Sequence, residues 1–407
     1  MSVTDPAQTD LGYTDPNPRR ETPWSRSQVI VTPVVSVLLA LTVGGLLILI
    51  QGVNPLTAYW VLFSSALGDV DGLVTVMEKS TPLILTGLAF TVGLRTGLFN
   101  IGAQGQLLVG AIGAAWAGYN FQMPAIIHLP FAIAFGILCG AAWASIAGVL
   151  RAYRSVSEVI TTIMLNAVAI ALVDYLASKP LQEPDQPLTR TPPVADTAAL
   201  PEFGVIPSGF VIALFVSLFF GWFLARTTQG FRFNTVGLNP SAANYAGIGV
   251  KKTIFLAMAV SGALAGMGGA VETLGITGRF EPTFNAGLGF DGITIALLAR
   301  ANPIATIPAA LLVGTMRAGA ASLQFQTGIE PEVVDVILAL TLLFVAAPIV
   351  GRMLFRKRAM KQASFSSGWG GAREPGTPTP SPSPSWPESS LPSSSMRIEL
   401  SRCCPSR

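Results

Sequence analysis

The chain has 407 residues, of which 51% are hydrophobic and 12% are charged, against roughly 25% charged in an ordinary soluble domain. Its mean hydropathy of +0.56 is that of an integral membrane protein. A net charge of +3 is too small to indicate a nucleic-acid partner. The three cysteines, Cys139, Cys403 and Cys404, form neither a disulfide framework nor a metal-binding spacing, so both classes of site are excluded.

The two ends of the chain differ from its middle. Residues 1–27 are polar and rich in proline, and we expect them to form a disordered cytoplasmic arm. Residues 359–407 consist largely of serine, proline, threonine and glycine, which predicts a disordered tail. Residues 28–358 between them form the predicted transmembrane domain.

The transmembrane domain contains ten apolar runs, and the fold class we predict is all-α with about ten membrane-spanning helices. Arg95, Arg300 and Arg317 lie at or near the ends of short spans and are left uncounted. Of the other basic residues near the spans, only Lys79, Lys179, Arg190 and Arg279 fall outside when the first residue is placed in the cytoplasm, so the positive-inside rule favours two cytoplasmic termini. The predicted spans are 29–50, 82–95, 104–118, 129–150, 159–177, 209–226, 253–273, 287–301, 307–322 and 333–352.

Two stretches on the predicted external side stand out. Residues 51–80 are predicted to form an interfacial amphipathic segment ahead of the second span. Residues 178–208 are rich in proline and acids, and such long loops are usually functional or disordered. Docking of an external protein and a loose extended linker are both open for this loop.

The cytoplasmic loop 232–252 is predicted to contain one short helix. Asn239 is a favourable N-cap, Pro240 suits the first helical position, and Gly247 is placed as the left-handed stop. About two turns are too few to persist alone in water, so flanking helices or a partner surface must hold them. We interpret the helix as the contact through which another protein drives this one, with a face formed by Ala242, Ala243 and Ala246 and with Tyr245 as anchor.

The segment 95–106 is a polar interruption between two apolar runs. It carries Asn100, Gln104 and Gln106 among three glycines, where an unsatisfied backbone group in lipid costs several kcal/mol. Two interpretations are open: its amides line a path for a polar solute, which we favour, or they stabilise a tight connection between helices. In the fifth span, Asn166 lies on the face that we expect to point into the bundle.

Other polar residues give little indication of chemistry. Glu272 and Asp291 lie at predicted span ends, where an interfacial charge is favoured over a solute ligand. A single histidine, His128, supports neither a proton relay nor a catalytic triad. The sequence contains no phosphate-binding Walker A loop, so any ATPase that drives transport is a separate polypeptide. We predict no catalytic residue, no metal and no cofactor.

Four ordered motifs, within roughly residues 30–355, resemble the membrane permease subunits of bacterial ABC importers for nucleosides and simple sugars. These permeases belong to a wider group with the ribose and branched-chain amino-acid permeases. The motifs are GLFNIGAQGQ at 97–106, SEVITTIMLN at 157–166, VGLNPSAANYAGI at 236–248 and FDGITIALLARANP at 290–303.

The resemblance implies a permease fold in the bacterial plasma membrane, with no enzymatic activity of its own. It also implies a cytoplasmic ABC ATPase, a second permease subunit forming a homodimer or heterodimer, and an external substrate-binding lipoprotein. The helix in 232–252 then corresponds to the coupling helix, with Gly237, Leu238, Asn239, Pro240, Ala243, Tyr245 and Gly247 as the ATPase-coupling residues. We assign Phe99, Asn100, Gln104, Gln106 and Asn166 to the translocation pathway.

The expected function is import of a small polar solute by alternating access, driven by ATP hydrolysis in the partner. An ion-gradient-driven secondary transporter is the main alternative, although such proteins normally carry several buried acids or histidines in their spans. The resemblance leaves nucleoside and sugar open as substrates.

Overall fold

The computed structural model describes residues 23–184, 187–282 and 287–346. Within them the chain forms thirteen α-helices, a π-helical turn and one two-stranded antiparallel ladder. The helices are α1 (Pro23–Ile50), α2 (Pro55–Leu67), α3 (Val70–Arg95), α4 (Ala103–Asn120), α5 (Ala125–Arg154), α6 (Glu158–Ser178), α7 (Ser208–Arg226), α8 (Thr228–Leu238), α9 (Pro240–Tyr245), α10 (Val250–Glu272), α11 (Leu288–Leu298), α12 (Thr306–Thr327) and α13 (Glu332–Ala346). The ladder pairs β1 (Glu202–Phe203) with β2 (Ile206–Pro207), and the π-helical turn is Thr273–Thr277.

The all-α membrane fold is confirmed, and each predicted span coincides with a helix over the residues that the structure describes. The number of ten spans is not confirmed, because seven helices in the described part are long and apolar enough to cross a membrane. Helix α4 is polar at Gln104 and Gln106 but buried along most of its length, so it does not need an apolar surface facing lipid. Helix α11 has 11 residues and rises about 16 Å, roughly half of a bilayer core.

Some predicted boundaries differ from the structure. Helix α1 begins at Pro23, so the last residues of the predicted arm 1–27 are helical. The rest of that arm and the tail 359–407 lie outside the described residues. Residues 51–80 contain α2 and the first part of α3, which begins at Val70 rather than at residue 82. Asn54 and Asp69 cap these two helices through their side chains, a signal that hydropathy does not report.

The core is formed around α3, α4, α5 and α10. Helix α3 is buried without interruption from Ser80 to Gly93, and it packs against α10, α11 and α12. Helices α4, α5 and α10 approach each other at glycines, as is usual where helices pack closely in lipid. The result is a central group of helices that holds both polar sites described below.

The loop 178–208 is fixed to the helices, so its interpretation as a loose linker is wrong for its described part. Val194 N–H donates to the Gly278 carbonyl at 2.9 Å, and Leu200 N–H donates to the Leu274 carbonyl at 2.9 Å. Glu183 accepts from Arg190 at 2.7 Å and from Arg279 at 3.1 Å. These contacts tie the loop to the segment that follows α10.

Candidate functional site

Helix α9 is the short capped helix that the sequence predicts. Asn239 is its N-cap and accepts the Ala242 N–H at 3.0 Å, while Pro240 occupies the first turn. The C-terminal end forms a Schellman motif: Ile248 N–H donates to the Ala243 carbonyl at 2.9 Å and Gly247 N–H to the Asn244 carbonyl at 3.0 Å. Gly247 has φ +78°, which a side chain would strain. Both ends of α9 are therefore closed by local hydrogen bonds.

The two faces of α9 differ from the predicted arrangement. Ala243 is fully buried against the rest of the chain, whereas Ala242 and Ala246 are exposed, so the small residues do not share one outward face. The large apolar side chains exposed here are Tyr245 of α9, 93% exposed, and Leu238, the last residue of α8, 88% exposed. Ala243 therefore anchors the helix, and two large apolar side chains remain available to a partner.

Gly237, near the C-terminal end of α8, makes a direct backbone contact with the connection between α3 and α4. A methyl group at Gly237 would overlap the carbonyl oxygen of Arg95, and one at Gly97 would lie 3.2 Å from the Gly237 Cα. Arg95 in turn donates from Nε to the Ala301 carbonyl at 2.7 Å. Helix α8 is therefore in direct backbone contact with the end of α3, whose Arg95 side chain bonds to the segment after α11.

The connection between α3 and α4 folds back along α3 and contains the predicted polar interruption. Leu98 N–H donates to the Gly93 carbonyl at 2.9 Å. Asn100 is fully buried and its Nδ2 donates to Gln106 Oε1 at 2.9 Å and to Ser261 Oγ at 2.8 Å. Its Oδ1 accepts from Gly102 N–H and from Gln106 Nε2, each at 3.1 Å. Asn100 thus joins the connection to α4 and α10.

Asn166 and Gln104 each accept a backbone N–H from the first turn of a neighbouring helix. Asn166, on α6, accepts the Gly105 N–H of the first turn of α4 at 2.8 Å and donates to the Ile101 carbonyl at 2.9 Å. Gln104 accepts the Gly289 N–H of the first turn of α11 at 2.7 Å. The first turn of a helix has backbone donors without intrahelical partners, and inside a membrane-embedded bundle they need protein acceptors.

The amides predicted to line a pathway are therefore hydrogen-bonded to one another and to the backbone. Asn100, Gln104, Gln106 and Asn166 are each at most 4% exposed, and Phe99 is half-buried, with its ring centroid 6.0 Å from that of Phe90 in an edge-to-face contact. This arrangement agrees with the second interpretation of the segment 95–106, in which its amides stabilise a tight connection between helices. Their contact with a moving solute stays a prediction.

Two polar features were missed by the sequence interpretation. Ser261 donates to the Ala89 carbonyl at 2.6 Å while accepting from Asn100, and its only sequence signal is a hydroxyl in an apolar helix. Arg317 binds Asp291 at 2.6 Å and Asp335 at 3.1 Å, which joins α12 to α11 and α13. The sequence interpretation took Asp291 as an interfacial charge and did not foresee its arginine partner, which lies in the middle of α12.

Neither of these features forms a metal site. In the described ranges no three His, Cys, Asp or Glu side chains are grouped to hold a metal ion. His128 uses both ring nitrogens for structure, with Nδ1 2.7 Å from Thr197 Oγ1 and Nε2 3.1 Å from the Ala117 carbonyl. These bonds attach the loop 178–208 to α4 and α5.

Known proteins match this chain along most of its length. The family described as the permease component of branched-chain amino acid transport systems matches residues 72–346. The guanosine ABC transporter permease protein NupP of Bacillus subtilis is 35% identical over 349 residues, which cover 82% of this chain and 98% of the relative. The nucleoside ABC transporter permease protein NupB of Lactococcus lactis is 34% identical over 83% of this chain and 96% of its own.

A third relative is named for a sugar. The glucose ABC transporter permease protein TsgB13 of Haloferax volcanii is 36% identical over 81% of this chain and 89% of its own length. All three relatives are transport subunits rather than enzymes by name. With its apolar helices and this coverage, the chain is a multi-pass plasma-membrane protein and belongs to the branched-chain amino acid transport family of permease components.

Proposed function

We propose that this chain is the membrane permease subunit of an ATP-driven importer that carries a nucleoside into the cell by alternating access. Two of the three relatives described above are named for guanosine or nucleosides, and each aligns over almost its whole length. The relative named for glucose supports a simple sugar as the second candidate for the solute. The partners in this proposal are a cytoplasmic ABC ATPase, a second permease subunit and an external substrate-binding lipoprotein.

The observation that carries the coupling step is the exposed end of α9. Leu238 at the end of α8 and Tyr245 at the end of α9 present two large apolar side chains to solvent, and α9 is closed at both ends by hydrogen bonds. Such side chains on a rigid element suit insertion into a groove of a partner protein. In the proposed orientation α9 and both termini lie in the cytoplasm, where the ATPase binds.

The route from α9 into the bundle follows from the backbone contacts. Gly237 touches the chain at Arg95 and Gly97, and Arg95 is bonded to the segment after α11. Movement of α9 by the ATPase would therefore reach α3 through the backbone contact at Gly237, and it would reach the segment after α11 through the Arg95 side chain. In this proposal the amides of the α3–α4 connection keep that segment rigid while it transmits the movement.

The test is the double variant Pro240→Gly/Tyr245→Ala in cells that express the complete transporter. We expect uptake of labelled guanosine to fall about tenfold or more, because the N-terminal preorganisation of α9 and its anchor side chain are both lost. Tyr175→Ala, which removes a tyrosine 60% exposed on α6, is the matched control and should leave uptake unchanged. The amount of each variant in the membrane is measured by immunoblotting.

Two results would count against the proposal. Normal uptake by the double variant would remove α9 from the coupling step. Accumulation of guanosine against a gradient by the purified chain alone in vesicles would favour the gradient-driven alternative. If labelled glucose and not guanosine is taken up, the nucleoside assignment is wrong and the coupling assignment stands.

A further inference from the structure

A large open groove lies beside α9. It has a volume of about 1170 Å³ and runs between α9, the end of α5, α8 and the start of α10. Tyr153, Asn244 and Leu256 form part of its walls. Small-molecule pockets usually measure roughly 300–1000 Å³. The groove is therefore larger than a small-molecule site and fits a segment of a protein.

The walls of the groove carry an uncompensated positive charge. Arg232, Lys251 and Lys252 line it, and all three are exposed. Within the part of the chain that the structure describes, none of the three makes an ion pair, and the sequence has no aspartate or glutamate between Thr227 and Val271. Arg151, by contrast, is paired with Glu158 at 3.1 Å. Three like charges without local counter-charges create a positive potential that favours an anionic partner.

We infer that this groove is a second docking surface for the partner ATPase and that it receives an acidic segment of that protein. The inference rests on the proposed function, because it places the ATPase against α9. Pro240 and Asn244 of α9 themselves line the groove, so a protein that seats Leu238 and Tyr245 also covers the mouth of the groove. An apolar contact at α9 and a charged one beside it would fix both the position and the angle of the ATPase.

The two contacts differ in their dependence on salt. Burial of Leu238 and Tyr245 is hydrophobic, and moderate salt leaves it nearly unchanged. The attraction between exposed charges is screened over a Debye length of about 10 Å at 0.1 M salt, so its contribution falls as salt rises. Salt titration therefore separates the groove from the apolar contact of α9.

The experiment measures binding of the purified ABC ATPase of the same transport system to the full chain in nanodiscs of neutral phosphatidylcholine. The test variant is Lys251→Gln/Lys252→Gln. The matched control is Arg154→Gln/Arg226→Gln, which removes two exposed basic residues that do not line the groove. We expect the test variant to bind about tenfold more weakly at low salt and to lose most of its salt dependence, while the control behaves as the wild type.

The outcomes are distinguishable from a failure of the proposed function. A wild-type chain that does not bind the ATPase contradicts the proposed function itself. ATPase binding that is the same in the test variant and the wild type overturns the groove assignment alone and leaves coupling through α9 intact. A loss of binding that appears only in nanodiscs with anionic phosphatidylglycerol, and not in neutral ones, assigns the groove to lipid headgroups and also overturns the inference.

Discussion

At the scale of single residues, the side chains that the sequence marks as unusual are the ones that satisfy buried backbone groups. Asn100, Gln104 and Asn166 each bond to backbone or side-chain groups far away in the sequence, and two of them complete the first turn of a helix. The sequence indicates that these amides are needed, because polar groups inside an apolar region must be paired. It does not identify their partners, since Ser261 lies 161 positions from Asn100.

Asn100 offers a direct test of the structural role of this network. Replacement of Asn100 by alanine removes four hydrogen bonds and leaves buried groups of Gly102, Gln106 and Ser261 without that partner. Each unsatisfied buried group costs about 1–3 kcal/mol, so we expect a clear fall in the melting temperature of the purified protein. Thermal unfolding followed by intrinsic fluorescence in a single detergent measures it.

Asn120→Ala is the matched control for that variant, because Asn120 is exposed at the end of α4. It should melt as the wild type does. A normal melting temperature for Asn100→Ala together with an altered KM for uptake would instead support the pathway role that the sequence favoured.

At the scale of elements, α9 shows how much local chemistry specifies. Its N-cap, its first-turn proline and its left-handed glycine lie within nine residues, and the sequence predicts each of them correctly because every one acts on its near neighbours. The face of α9 that is buried depends on α8 and α10. For this reason the prediction that Ala242, Ala243 and Ala246 share one face was wrong: Ala243 is buried and the other two are exposed.

The arginine that joins three helices is an element-scale feature that no local signal reveals. Arg317 on α12 is bound by Asp291 on α11 and Asp335 on α13. Arg317→Met would leave Asp291, whose side chain is 14% exposed, without its cation. Loss of one partner of a buried pair costs about 3 kcal/mol or more, so we expect a marked fall in the melting temperature.

A second variant separates charge from packing in that experiment. Arg317→Met/Asp291→Asn removes the arginine and its buried carboxylate partner, and it should recover much of the stability lost by the single variant. The carboxylate that remains, Asp335, is 58% exposed and can be solvated. If the double variant is no more stable than the single one, the ion pair does not account for the effect. The melting temperatures of all four proteins in the mutant cycle are compared in the same detergent.

At the scale of the whole molecule, close helix packing organises the bundle. Helices α3 and α11 cross at glycines: a methyl group at Gly87 would lie 2.6 Å from the Ile295 side chain, and one at Gly292 would lie 2.8 Å from the Thr86 backbone. Arg95, the last residue of α3, also bonds to the Ala301 carbonyl just after α11. The movement proposed for α3 and α11 therefore involves two elements in direct contact.

Gly266 tests the packing of α4, α5 and α10. A methyl group there would lie 2.7 Å from the Gly136 carbonyl oxygen and 2.9 Å from the Gly140 Cα, both backbone atoms that cannot move without separating the helices. We expect Gly266→Ala to lower stability by about 1–3 kcal/mol through overpacking. Gly249→Ala is the control, since its methyl group would meet nothing closer than the Lys252 Cβ at 4.0 Å. Equal melting temperatures for the two variants would contradict the close approach.

The sequence by itself determined that this is a helical membrane protein, where most of its helices run, how α9 is capped and which family it resembles, because composition, hydropathy and capping act over a few neighbouring residues. Only the tertiary structure decided which groups the buried amides satisfy, that Gly237 meets Gly97, that Ala243 faces inward and that Arg317 holds Asp291. Each of these depends on residues distant in the sequence that come together only when the helices pack.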